Sequence, residues 1–162
     1  FNLMGGAFES GTGDYVTLFE PTASAFAAQG KGHIVTNMGL ESGEVPYTTF
    51  MMRKDTIENE PGFAAAFVRA IYRAQKWVWA AGDVEVAYAM QSYFPDTDIA
   101  TLSAVAKSYR ATDSWTRVPT MTEDAFTRLQ DILDGAGELA ARIELSELVD
   151  NSFGEAAISE IG

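Results

Sequence analysis

The sequence contains no cysteine. Disulfides, cysteine-ligated zinc and thiol catalysis are therefore excluded. It contains a single histidine, His33, so a multi-histidine metal site or a conventional catalytic triad cannot be assembled from these residues. Basic residues are also scarce. Eleven Lys and Arg face twenty-three Asp and Glu, for a formal net charge of −12. The basic residues are scattered, whereas nucleic-acid binding needs them clustered against phosphates. No nucleic-acid partner is expected, and the acidity is read as a source of solubility. No run approaches the roughly 18 consecutive apolar residues of a membrane helix. The first residue is Phe1, and no basic segment leads into a long apolar run. No signal peptide is visible, and sequence is expected upstream.

What is present is a chain of 162 residues, 47% hydrophobic and 12% aromatic. That is enough for a folded domain with a sizeable core. Leu3, Met4, Ala7 and Phe8 have helical spacing. Gly11 to Asp14 reads as a loop, and Tyr15 to Phe19, rich in β-formers, predicts a buried strand. Pro21 suits the first turn of a helix over Thr22–Gln29, which Gly30 ends. His33 to Met38 predicts a second strand. A strand, a short helix and a strand in so few residues imply a parallel pair with a right-handed crossover.

Beyond a loop from Leu40 to Val45 and an extended stretch from Pro46 to Arg53, the pattern becomes helical. Asp55 and Glu58 have capping-box spacing. Phe63, Ala66, Phe67, Ala70, Ile71, Ala74, Trp77 and Val78 form one apolar stripe that ends at Gly82. Val86, Ala87 and Met90 predict a further helix, and Ile99, Leu102 and Val105 another within Asp98–Tyr109. Thr120 with Glu123 caps a helix reaching about Leu139, and Leu145 to Ile161 predicts a last one. The aromatics Trp77, Trp79, Tyr88, Phe94 and Trp115 read as packing residues.

The glycines of Gly11-x-Gly13 and Gly30-Lys31-Gly32 precede the predicted strands. A phosphate-binding loop places them between strand and helix, so turn chemistry is the reading here. No Gly-x-Ser-x-Gly elbow exists. Glu20 falls at the C-terminal end of the first predicted strand, the edge where ligands of open α/β sheets collect. Its carboxylate could accept hydrogen bonds from a ligand amine or amide. It could equally be a solvated carboxylate favoured by a helix N-terminus. Asp14, at the opposite end of the strand, makes a poor acid–base partner for it. Glu44 and Tyr47 follow the second predicted strand, where a loop can carry function or simply cross over. An enzyme would need a second titratable group beside Glu20, and none can be named. A helical interaction module is an alternative that the long amphipathic helices support.

The run Gly13-Asp-Tyr-Val-Thr-Leu-Phe-Glu-Pro21 resembles the second lobe of periplasmic substrate-binding proteins of ABC importers, of the nitrate, sulfonate, taurine and thiamine-precursor type. The likeness continues through Gly30-Lys-Gly32, Gly43-Glu-Val-Pro-Tyr47, Pro61 to Ile71 and Trp77. It reaches Tyr93 to Asp98, Trp115 and Ala136 to Leu139. The resemblance implies an α/β fold, part of a two-lobe periplasmic-binding-protein architecture with a helix-rich C-terminal half. Residues 1–44 would end lobe two, 45–53 would cross the hinge, and 54–162 would return into lobe one. It implies capture of a small solute in an interlobe cleft and delivery to ABC permease membrane subunits, outside the cytoplasm, without catalysis or cofactor. The chain would be a C-terminal fragment, anchored if at all through the transporter or a lipid, and able to self-associate. One branch of the group relies on histidine-rich iron chemistry, which His33 alone cannot supply. Carried onto this sequence, Glu20 is the expected ligand contact, followed by Tyr47 and Glu44. Because Glu20 repels anions, a ligand with hydrogen-bond donors, such as an aminopyrimidine, suits it better than nitrate or a sulfonate.

Overall fold

The computed structural model describes residues 3–162. Helices α1 (Met4–Glu9), α2 (Thr22–Ala28), α3 (Met38–Ser42), α4 (Lys54–Asn59) and α5 (Pro61–Ala80) are followed by α6 (Asp83–Met90) and a 3-10 turn at Gln91–Tyr93. Then come α7 (Ile99–Ala111), α8 (Glu123–Gly135), α9 (Leu145–Leu148) and α10 (Ser152–Ile161).

Among the described residues there is no strand, which overturns the expected α/β class: they are 59% helical and form no sheet. The physical reason is that a strand exists only as one side of a hydrogen-bonded ladder. A helix closes its own bonds locally. The segments at 15–19 and 33–37 have β-forming composition but no regular structure. Tyr15 is 81% and Val35 71% exposed, so neither run is the buried strand its composition suggested.

The chain divides into two compact units. One joins the stretch up to Asn37 with Ala81–Ser114. In it α6 packs along α7, and α2 packs against α7 as well. Its core is Val86 and Ala87 from α6 with Leu102, Val105 and Ala106 from α7. Helical spacing predicts Val86, Ala87, Leu102 and Val105 on the inner faces of their two helices, and Ala106, not singled out from sequence, joins them. Arg110 fastens the end of α7 by donating to the Asp83 carboxylate and to the Ala81 carbonyl.

The start of α7 is set by Asp98, whose Oδ1 accepts the Thr101 N–H at 2.7 Å. That bond, first among the causes, holds the Asp98 carboxyl below its ordinary value. A carboxyl lowered on folding contributes stability that is present above its unfolded value and is lost as pH falls through the folded one. Thermal unfolding in acid should therefore show a drop to which Asp98 contributes. In Asp98→Asn that component of the pH dependence should vanish; an unchanged acid profile would contradict the assignment.

The second unit joins Met38–Ala80 with Trp115–Gly162. Here α5 packs against α10 and α4. The buried residues are Ala64, Tyr72, Ala125, Phe126 and Ala157. The stripe read from sequence is rotated: Phe63 and Trp77 are about half exposed, while Ala64 and Tyr72, about two turns apart on a neighbouring face, are buried. Alanines lie all round this helix, so periodicity alone fixed its face poorly. Thr122, rather than Thr120, caps α8 by accepting the Ala125 N–H. The predicted last helix is divided into α9 and α10.

Two side-chain amides secure the loops of this unit. Gln130 holds both backbone groups of Ile143, at 2.9 and 3.2 Å. Asn151 does the same for Met121, at 2.8 and 3.0 Å. Arg117 lies over the Trp79 ring, 3.5 Å from its centroid, while the Trp79 indole N–H donates to the Trp115 carbonyl. Trp79 and Trp115 pack in this way, whereas Trp77, Tyr88 and Phe94, expected to pack as well, are exposed.

Candidate functional site

Glu20 stands at the turn between the irregular segment 15–19 and the first residue of α2. It is half-buried. Its carboxylate turns back onto the helix: the Ser24 N–H donates to Oε2 and the Ser24 hydroxyl donates to Oε1, both at 2.9 Å. One of the otherwise unpaired N–H groups at the start of α2 is thereby satisfied. The bonds also fix the rotamer of the carboxylate. A carboxylate offers about four lone-pair positions. Two accept from Ser24, leaving acceptor capacity on each oxygen.

Tyr109 belongs to the same unit, on the face of α7 that carries Leu102, Val105 and Ala106. Burial, with the Glu20 charge adding to it, holds its phenol above the ordinary tyrosine value. The hydroxyl therefore stays protonated at physiological pH. Neither Ser24 nor Tyr109 was singled out from sequence. Ser24 was findable, since it is four residues after Glu20 at a helix start. Tyr109 comes close only because α2 packs on α7.

Glu44 and Tyr47 are in the other unit, so neither unit brings them together with Glu20. Both are exposed. The Glu44 carbonyl accepts a bond from the Arg128 guanidinium at 2.9 Å. Gly43, with φ of +76°, lies against that guanidinium, 3.3 Å from where a Cβ would stand. Arg128 thus pins the loop carrying Glu44. Asp14 and His33 are exposed. Among the described residues, no group of His, Asp and Glu is placed to hold a metal ion, and no helix is long and apolar enough to cross a membrane.

An open cavity of about 430 Å³ lies between α1, the segment Thr17–Phe19 and the side chains of Thr22 and Phe26. Glu20 is not part of its lining, though Phe19 before it and Thr22 two residues after it are. The Glu9 carboxylate at its edge is engaged by Lys31 at 2.7 Å.

Residues 3–92 match the NMT1-like family, and the chain belongs to that family. It is the family that the run around Glu20 resembled. Over 160 residues, 99% of this chain, it is 40% identical to a Bacillus subtilis (strain 168) protein named "Putative binding protein YtlA". The chain spans about half the length of that relative, 48% of it. No solved structure matches the chain.

Proposed function

We propose that this chain is part of a solute-binding protein of an ABC uptake system, which captures a small molecule in a cleft between two lobes and hands it to the permease. The observation that carries the reading is Glu20: a half-buried carboxylate, held by two hydrogen bonds and retaining acceptor capacity, within the family-matched stretch. Family membership and the relative described as a binding protein support it. Binding proceeds by hinge closure and involves no chemical step. The sequence division into 1–44 as the end of lobe two, 45–53 as the hinge crossing and 54–162 as the return into lobe one belongs to this proposal. The site of action is outside the cytoplasmic membrane.

A carboxylate favours a ligand that donates hydrogen bonds and disfavours an anion. An aminopyrimidine is the preferred candidate over nitrate or a sulfonate. Tyr47 and Glu44 are proposed as secondary ligand contacts. Calorimetric titration of the full-length protein with aminopyrimidines, sulfonates and nitrate tests the reading. Binding of an aminopyrimidine alone is expected; a folded protein that binds nothing in the panel contradicts it.

A second reading, a helical module that docks another protein chain, draws on the exposed apolar side chains. Ile34, Val35, Phe50 and Met51 are between 57% and 91% exposed. Under either reading the 162-residue chain alone is expected to self-associate. Size-exclusion chromatography should give an apparent mass above the 17.5 kDa monomer. A sharp monomer peak that persists at high concentration would contradict this.

A further inference from the structure

We propose that the open cavity beside α1 is a second binding site of the first unit, separate from Glu20, and that it takes a small neutral aromatic molecule carrying one hydroxyl group. The inference stands independently of the solute-binding reading, because Glu20 is not part of the cavity lining.

Three observations carry it. First, the walls are already assembled. Gly5 lets the Phe26 ring close on α1: a Cβ there would stand 3.1 Å from the ring and 3.8 Å from the Leu18 side chain. Lys31 Nζ lies 5.3 Å from the centroid of the same ring and 2.7 Å from the Glu9 carboxylate. These contacts hold α1, the segment Thr17–Phe19 and α2 around an open space of about 430 Å³. Small-molecule sites span roughly 300–1,000 Å³, and walls that need no ordering favour binding. Second, Gly6 keeps that space open. A glycine inside a helix costs stability relative to alanine. Gly5 has a packing reason in Phe26. Gly6 has none: no atom lies within 4 Å of its Cβ position, and it lines the cavity. Third, the lining combines an apolar surface with open polar groups. Met4, Leu18, Phe19 and Phe26 supply the first, with Phe19 46% exposed. Thr17 and Thr22 add hydroxyls. The backbone groups of Thr17 and Leu18 have no hydrogen-bond partner among the described residues.

Charge decides the class of ligand. Glu9 is the one ionised residue of the lining, and Lys31 already neutralises it. An anion would have to draw Lys31 away from Glu9, and a cation would compete with Lys31 for the carboxylate. Either would leave water for a largely apolar surface without a free partner. A neutral aromatic ring instead packs on Phe19, Phe26 and the Met4 thioether. A hydroxyl both donates and accepts, so it can pair with a threonine or with the open backbone of the segment.

The test uses the full-length protein and benzyl alcohol, with benzoate and benzylammonium as charged molecules of similar shape. In a ¹³C-methyl NMR titration the Met4 and Leu18 resonances should move with benzyl alcohol. Met51, exposed in the other unit, should not. Benzoate and benzylammonium should bind at least about tenfold more weakly, the penalty of an unpaired charge. Gly6→Leu, which fills the cavity, should abolish the Leu18 shift, with thermal unfolding confirming that the variant is folded. Gly62→Leu, at a position equally free of neighbours in the other unit, should bind as the wild type does. Glu20→Gln should bind benzyl alcohol unchanged. Unmoved Met4 and Leu18 resonances in the wild type overturn the inference. So does a charged probe that binds as tightly as the alcohol, or a folded Gly6→Leu that binds normally. If Glu20→Gln loses as much binding as Gly6→Leu, the ligand sits at Glu20: the separate site is overturned, and the reading of Glu20 as a ligand contact stands. Should Gly6→Leu fail to fold, the wild-type shifts and the charge series decide.

Discussion

Gly154→Ala is expected to destabilise the second unit by about 3 kcal/mol, a cost typical of forcing atoms into a packed core. A Cβ at this position would lie 2.4 Å from the Pro119 carbonyl oxygen, 2.8 Å from the Thr120 Cγ2 and 3.1 Å from the Pro119 carbonyl carbon. Two of the three contacts are backbone, so no rotamer change removes them. The loop cannot easily retreat either. On one side Asn151 grips both backbone groups of Met121, and α10 carries Gly154 on its buried face with Ala157. For a chain of this size, about 3 kcal/mol corresponds to a fall in Tm of roughly 6–12 °C. Gly62→Ala is the matched control. It lies in the first turn of α5, and no atom lies within 4 Å of its Cβ position. There the alanine should be neutral or stabilising by about 0.5 kcal/mol. Equal Tm values for the two variants would show that the close approach of α10 to Pro119 is not what this structure describes.

Glu20→Gln in the full-length protein is expected to weaken binding of a ligand bearing N–H donors by roughly 10- to 100-fold, the range for losing a hydrogen bond to a charged group. Glutamine keeps the length and shape of the side chain. Its amide oxygen can still accept from the Ser24 N–H, and the Ser24 hydroxyl can rotate to accept from the new NH₂ group. The fold at the start of α2 should therefore survive, which separates binding from stability. The sign reverses for an anion. Removing the carboxylate charge removes repulsion, so affinity for nitrate or a sulfonate should stay level or rise. A parallel loss for both ligand classes would point to a structural role for Glu20 at the head of α2.

The parts of the fold that could be read from the sequence are those whose causes are local. Val86, Ala87, Leu102 and Val105 follow from helical period, and all are buried. A threonine cap was expected for α8, and the register slipped by two residues because Thr120 and Thr122 both suit it. Where composition gave no contrast, as along the alanine-rich α5, the buried face was misread. The predicted strands failed for a different reason. Tyr15–Phe19 has the composition of a strand, but pairing is a property of two segments, and no ladder forms among the described residues. Of the site, Glu20 was legible because Pro21 marks a helix start and the run before it resembles a known family. Its hold by Ser24 is local and could have been inferred. Tyr109 could not, since its nearness depends on α7 packing against α2 from far along the chain. Glu44 and Tyr47 were grouped with Glu20 by analogy with a complete cleft, and they belong to a separate unit.

The most direct measurement is a crystal structure of the full-length protein with an aminopyrimidine bound. The account predicts the amine within hydrogen-bond distance of a Glu20 carboxylate oxygen, with the Ser24 bonds retained. A ligand seated elsewhere, with Glu20 engaged only by Ser24, would contradict it.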